Sequence, residues 1–226
     1  MDKDIRKSVI AGTWYPGDPA TLRGEVRRYL EKVPAQALGG AVAGLVSPHA
    51  GYVYSGQIAA YGYRLVEGRR YDAVVVIGPS HRVLFHGASV WPSGGYETPL
   101  GVVPVDRELA GAILAADPVM NDERKPHAAE HSVEIQLPFL QVALGSFPFV
   151  PVVMGSQDWR SCEAVAGAIA RAARGKNVLV VGSSDLSHFH DYEKARRLDQ
   201  SVVDLVGNRD ARGLARYGQQ LQLRPF

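Results

Sequence analysis

Hydrophobic residues along this chain come in short, nearly unbroken runs. Residues 41–47 (AVAGLVS), 73–78 (AVVVIG) and 177–182 (NVLVVG) are dominated by β-branched and small apolar side chains, and 149–153 (FVPVV) is a shorter run of the same kind. A strand with one wet face alternates apolar and polar residues, whereas a strand covered on both faces need not. These runs therefore predict buried strands. Between and after them the apolar period lengthens to that of a helix, at 57–66, 106–116 (with Asp106 as its cap), 132–144, 161–174, 192–206 and 210–217. Pro138 lies inside the 132–144 pattern and removes a backbone donor there, so a kink or break is expected. Residues 91–100 (WPSGGYETPL) are rich in turn formers and read as a loop or small hairpin.

Strands alternating with helices predict an α/β fold with a mostly parallel or mixed central sheet and helices on both faces. No linker divides residues 1–226, so a single domain is expected. A chain of this length buries enough surface to fold without a disulfide or structural metal. The formal charge is only +2 and the basic residues are scattered, apart from pairs such as Arg69-Arg70 and Arg196-Arg197, so nucleic-acid binding is not indicated. The single cysteine, Cys162, allows no intrachain disulfide, and within its Ala-rich stretch it is expected to be a small packed residue. The first residues are charged and contain no apolar leader, and no run is long enough to span a membrane. A cytoplasmic protein without membrane contact is the expectation.

The three strongest runs each end in a polar segment: 47–52 (SPHAGY), 78–81 (GPSH) and 182–188 (GSSDLSH). Ligands of open parallel sheets bind beyond the carboxyl ends of the strands. His49, His81 and His188 are thus delivered to one edge by one device. Imidazole suits zinc, iron and copper, and two histidines with a carboxylate and open positions suit non-haem Fe(II). Asp185 stands three residues before His188; on a helical turn the two share a face, so Asp185 orients His188, reaches a metal itself, or only caps a short helix. A further constellation is 130–136 (EHSVEIQ), in which His131 and Glu134 are candidate ligand-binding residues; the plainer alternative is the acidic start of a surface helix. His86, His127 and His190 have no comparable context. There is no Walker loop, GxGxxG, HExxH or GxSxG.

These residues resemble the Memo family, through 12–16 (GTWYP), 47–56 (SPHAGYVYSG), 78–81 (GPSH), 130–138 (EHSVEIQLP) and 183–188 (SSDLSH), over nearly the whole chain. The resemblance implies a fold similar to the class III extradiol dioxygenases. Those enzymes use Fe(II), held by two histidines and a glutamate, to cleave catechol rings, with a further histidine as base. It implies that His49 and His81 are metal ligands and that His188 is the third pocket histidine, ligand or base, with Asp185 beside it as its catalytic partner. It also implies that Trp14 and Tyr54 line the mouth. In the animal relative the pocket is linked to phosphotyrosine peptides and to iron or copper. Family members carry a cysteine near the C-terminus in a Cys-Gly context, which completes the metal site, followed by a final strand and helix. This chain runs to Phe226 without either, and Cys162 does not match by context. The third ligand is then expected from Asp185, His188 or water. Two functions follow as expectations: a non-haem iron oxidoreductase of dioxygenase type (Cu or Zn also suiting the site), or a non-enzymatic module that binds a phosphorylated or aromatic anionic small molecule or peptide. Nothing in the residues favours a metal hydrolase over these.

Overall fold

The computed structural model describes residues 4–36 and 38–221, with side chains up to residue 218. In chain order the elements are β1 (Ile5–Arg6), α1 (Pro19–Glu31), β2 (Gly44–Ser47), α2 (Tyr52–Arg64), β3 (Ala73–Pro79), β4 (Ala88–Val90), β5 (Gly95–Thr98), β6 (Gly101–Pro104) and α3 (Arg107–Ala116). They continue with β7 (Met120–Asn121), a single turn α4 (Lys125–Ala128), α5 (Leu137–Leu144), β8 (Phe149–Met154), α6 (Trp159–Ala172), β9 (Val178–Ser183), α7 (Tyr192–Gly207) and α8 (Ala211–Leu221).

The apolar runs build one six-stranded sheet in the order β2-β9-β3-β8-β4-β7. β2, β9, β3 and β8 are parallel neighbours, β4 runs antiparallel to β8, and β7 is parallel to β4, so the sheet is mixed. Its centre falls on the two most continuous runs: Ala73–Val76 in β3 and every residue of β8 are buried. Pro151 is tolerated inside β8 at a position where its carbonyl still accepts from Trp91 N–H. Two helical groups flank the sheet, α1, α2 and α5 packing together and α3 packing on α6, while α7 and α8 pack on each other. The turn-rich 91–100 stretch contributes β5, which forms a hairpin with β6 and accepts β1 as a parallel neighbour in a second, three-stranded sheet.

The expected 132–144 helix is broken, as Pro138 requires. A 3-10 turn at Glu134–Gln136 precedes α5, which places Pro138 in its first turn, where a missing N–H costs nothing. The 185–188 stretch is not the helical turn the spacing allowed: it is irregular, Phe189 has φ 61°, and Asp185 caps nothing, since the cap of α7 is Asp191. Asp106 does cap α3, accepting from Leu109 N–H at 2.9 Å.

Behind the 134–136 turn lies an aromatic cluster. Tyr63 stacks on Phe139 with ring centroids 5.0 Å apart, and Tyr52 meets the same ring edge-on at 5.0 Å. Both phenols are buried and donate to the turn, Tyr52 to Ile135 O at 2.8 Å and Tyr63 to Gln136 Oε1 at 2.6 Å. The turn is thereby fixed against α2. Its other contact is with the end of β3, where Gly78 leaves room for Ser132: a β-carbon at residue 78 would lie 2.8 Å from Ser132 Cβ. The Gly78→Ala variant is expected to lose about 1–3 kcal/mol through this overpacking, read as a lowered urea midpoint with unchanged m-value. A midpoint equal to wild type would show that the 130–132 segment yields freely.

Candidate metal centre

Strand register brings the polar segments level. Ser47 at the end of β2 lies opposite Ser183 at the end of β9, and Gly182 lies opposite Ile77 of β3. The chain leaves β2 into His49, β3 into His81 and β9 into Asp185. His131 comes from the connection between α4 and the 3-10 turn, brought to the same edge by Ser132, whose hydroxyl donates to Pro79 O at 2.9 Å.

His49, His81 and His131 converge. Their candidate ligand atoms all lie within 4.8 Å of one another. The rings of His81 and His131 stack at 4.5 Å, and His49 meets them edge-on at 5.1 and 5.6 Å. The hydrogen bonds set the tautomers of two of these rings. Ser183 Oγ donates to Ser132 O at 2.6 Å, so it can only accept from His49 Nδ1 at 3.1 Å and from Gln136 Nε2 at 2.8 Å. His81 Nδ1 donates to Glu130 Oε1 at 2.9 Å. In both rings Nδ1 carries the proton and Nε2 keeps its lone pair. A carboxylate or hydroxyl behind a histidine is the usual arrangement for a metal ligand. Three convergent imidazoles, two of them backed in this way, fit a divalent transition-metal ion.

The chain belongs to the Memo family. The family's Memo-like protein profile matches residues 6–224. A MEMO1 family protein of Thermotoga neapolitana is 38% identical, covering 94% of this chain and 81% of the relative. Archaeal relatives of the same description include one from Methanopyrus kandleri, 36% identical over 92% of this chain and 78% of its own length. Another, from Methanothermobacter thermautotrophicus, is 35% identical over 93% and 79%.

In this Memo-family chain the other sequence-selected residues occupy different places around the three rings. Asp185 is adjacent: Oδ1 accepts from His49 N–H at 2.6 Å, and Oδ2 lies 3.7 Å from His49 Nε2 and 3.5 Å from His188 Nε2. His188 lies beside Asp185 but outside the three-histidine group, with its side chain 40% exposed. Trp14 lies against His131 with centroids 4.3 Å apart. Tyr54, on the outer face of α2, is 83% exposed. Glu134 is not part of the three-histidine group. It is fully buried and faces the N-terminal segment, accepting from Ser8 Oγ and Tyr15 Oη and pairing with Arg6 at 2.6 Å. The acidic start of a surface helix does not describe this stretch, because Glu130 and Glu134 are both buried. Residues that the pattern did not single out for the site are Ser183 and Gln136; the SSD after β9 and the EIQ before α5 were their only signals. His127 is fully buried between Tyr96 Oη at 2.6 Å and Ser89 Oγ at 3.2 Å, away from the cluster.

Burial holds His49 below the ordinary histidine range, with Asp185 opposing. Burial likewise pushes His131 down to about 4, against the pull of Glu130. Both are therefore neutral at pH 7. Burial pushes Glu130 up, but the hydrogen bonds from the His81 ring and from the N–H groups of His81 and Ser132 together outweigh it and hold the carboxyl at about 2. A folded-state value below the unfolded one stabilises the protein above the unfolded value and is lost as pH falls through the folded one. Glu130 thus contributes about 3 kcal/mol above pH ~4.5 that disappears toward pH ~2. Glu130→Gln is expected to lower stability by that order at pH 7 and to flatten the loss between those pH values. Parallel acid-unfolding curves for variant and wild type would contradict this.

Proposed function

We propose that this chain is a metal-dependent protein in which His49, His81 and His131 hold a divalent ion, with non-haem iron oxidoreductase chemistry of dioxygenase type the favoured activity. The observation that carries this is the convergence of three imidazoles, two with Nδ1 protonated by hydrogen bonding, so that Nε2 is the available donor. The set differs from the one expected from sequence by taking His131 in place of His188. A bound ion with an open coordination position would supply Lewis-acid polarisation and, if iron or copper, one-electron chemistry.

The chain's own residues divide the remaining work. In this reading Asp185, which lies against His49 and His188, exchanges a proton with a ligand bound at the three histidines. His188, with its partly exposed ring, is placed to pass that proton to solvent. Trp14 provides a flat wall next to His131, and Tyr54, 83% exposed on α2, is open to solvent. The same wall supports the second reading, a non-enzymatic site for a phosphorylated or aromatic anionic ligand.

Metal content and calorimetric titration with Fe(II), Zn(II) and Cu(II) test the proposal. His49→Ala, His81→Ala and His131→Ala are each expected to weaken binding by more than the roughly 10–100-fold that follows loss of a ligand's hydrogen-bond partner. His188→Ala is expected to leave affinity near wild type while slowing oxygen uptake on catechols by the Fe(II)-loaded protein. A wild-type chain that binds none of the three ions sinks the metal reading. Metal binding without oxygen uptake, together with calorimetric binding of phosphotyrosine peptide that His49→Ala abolishes, favours the second.

A further inference from the structure

Glu134 is buried too deeply to touch a ligand, yet its hydrogen bonds converge on one short stretch of chain. Its Oε1 accepts from Ser8 Oγ at 2.6 Å, Ile10 N–H at 3.3 Å and Tyr15 Oη at 2.7 Å, and its Oε2 from Val9 N–H at 3.0 Å. Between the residues held on either side, the chain makes a tight turn. Thr13 and Trp14 N–H both donate to Ile10 O, Gly12 N–H donates to Tyr15 O at 2.8 Å, and Gly12 supplies the left-handed conformation at φ 79°. Trp14 is at the tip of this turn. Its carbonyl accepts from Tyr52 N–H at 2.8 Å, at the start of α2, and its indole lies against His131. Arg6 closes the arrangement: it pairs with Glu134 and donates to His127 O at 2.7 Å and to Glu130 O, so the segment is tied to the same connection that carries His131.

We infer that Glu134 is a positioning residue for the histidine site, holding the 8–15 turn at both ends so that the Trp14 indole forms one wall of the centre against His131. The inference extends the metal reading above, but it concerns the apo arrangement and can fail separately. Glu134 sets where the wall stands; the rings of His49 and His81 are held by Ser183 and Glu130, and the main chain of His131 by Glu130. Loosening the turn therefore displaces Trp14 without dismantling the ligand set.

The test uses the full chain without metal first. In wild type, the ring protons of His131 are expected to show a ring-current displacement from Trp14, identified by its disappearance in Trp14→Leu. Tyr15→Phe removes one donor to Glu134 while keeping the buried ring, and Glu134→Gln removes the charge. Because the second breaks a buried ion pair and can unfold the chain, the first is the primary variant. Both are expected to reduce the displacement toward the Trp14→Leu value, while the His49 and His81 resonances stay in place. Zn(II) affinity is expected to fall by less than the roughly 10-fold that loss of a ligand-orienting partner brings. A folded Tyr15→Phe protein with the full wild-type displacement would overturn the inference. So would His49 and His81 resonances moving together with His131, which would show a general loosening of the core. If wild type binds no Zn(II), the metal reading fails while the ring-current comparison still decides the role of Glu134.

Discussion

The carboxylate of Glu130 accepts from the Nδ1 and main-chain N–H of His81 and from the N–H groups of His131 and Ser132, in a position almost closed to solvent. An ionised carboxylate is stable there only because those donors replace its water. The constraint works in both directions. The loop leaving β3 and the connection that carries His131 cannot separate without exposing the charge to an apolar surrounding. The ring of His81 cannot turn without giving up its bond. Two of the three imidazoles are thereby placed relative to each other by one group that need not touch a metal.

The segment around Glu130 shows how scaffold and site share residues. Glu130 orients His81, and His131 enters the cluster. Ser132 ties the segment to Pro79 and accepts, through its carbonyl, from Ser183. Glu134 turns the other way and gathers the N-terminal turn. Gln136 donates to Ser183, which also accepts from His49, while the Gln136 side-chain carbonyl accepts a hydrogen bond from buried Tyr63. A hydrogen-bonded path therefore runs from the aromatic cluster behind α5 to the ring of His49. The 3-10 conformation of residues 134–136 lets neighbouring polar side chains face different partners, which a regular amphipathic helix with one apolar stripe would not.

The central strands were legible because they are covered on both faces: Ala73–Val76 of β3 and every residue of β8 are buried, whereas the 41–47 run, read as a buried strand, forms the edge strand β2, where Val46 is 59% exposed. Their ends were legible too, since Pro-His and Ser-His after such runs place polar groups at the sheet's carboxyl edge. What the pattern hid has physical causes. Helix α1 buries only Leu22, Val26 and Leu30, a narrow stripe among arginines and glutamates, and its average character is that of a solvated loop. The strands β1, β4 and β7 are two or three residues long and are made by pairing, not by local preference. At the site, spacing brought Asp185 and His188 together correctly in distance but through an irregular segment instead of a helical turn. His131 and Glu134, equivalent candidates in the sequence, part company because a three-residue separation does not share a face once the helix is broken before Pro138.

The asymmetry of the cluster bears on what it can do. One side of the three imidazoles is closed by hydrogen bonds: Ser183 behind His49, and Glu130 behind His81 and, more distantly, His131. Beside the cluster stand Asp185 and His188. Asp185 spans two histidines at distances longer than a hydrogen bond, with one oxygen engaged by a main-chain N–H and the other near two ring nitrogens. His188 beside it is partly open to solvent. A site meant only to store an ion, or to staple the fold, would be expected to close all its ligands and exclude titratable groups from the remaining face. Here a carboxylate and an imidazole stand beside that face, and an aromatic wall stands against His131. That combination suits a ligand that must bind flat and exchange a proton, and it is the physical reason the proposed reading favours chemistry over a structural role for an ion held there.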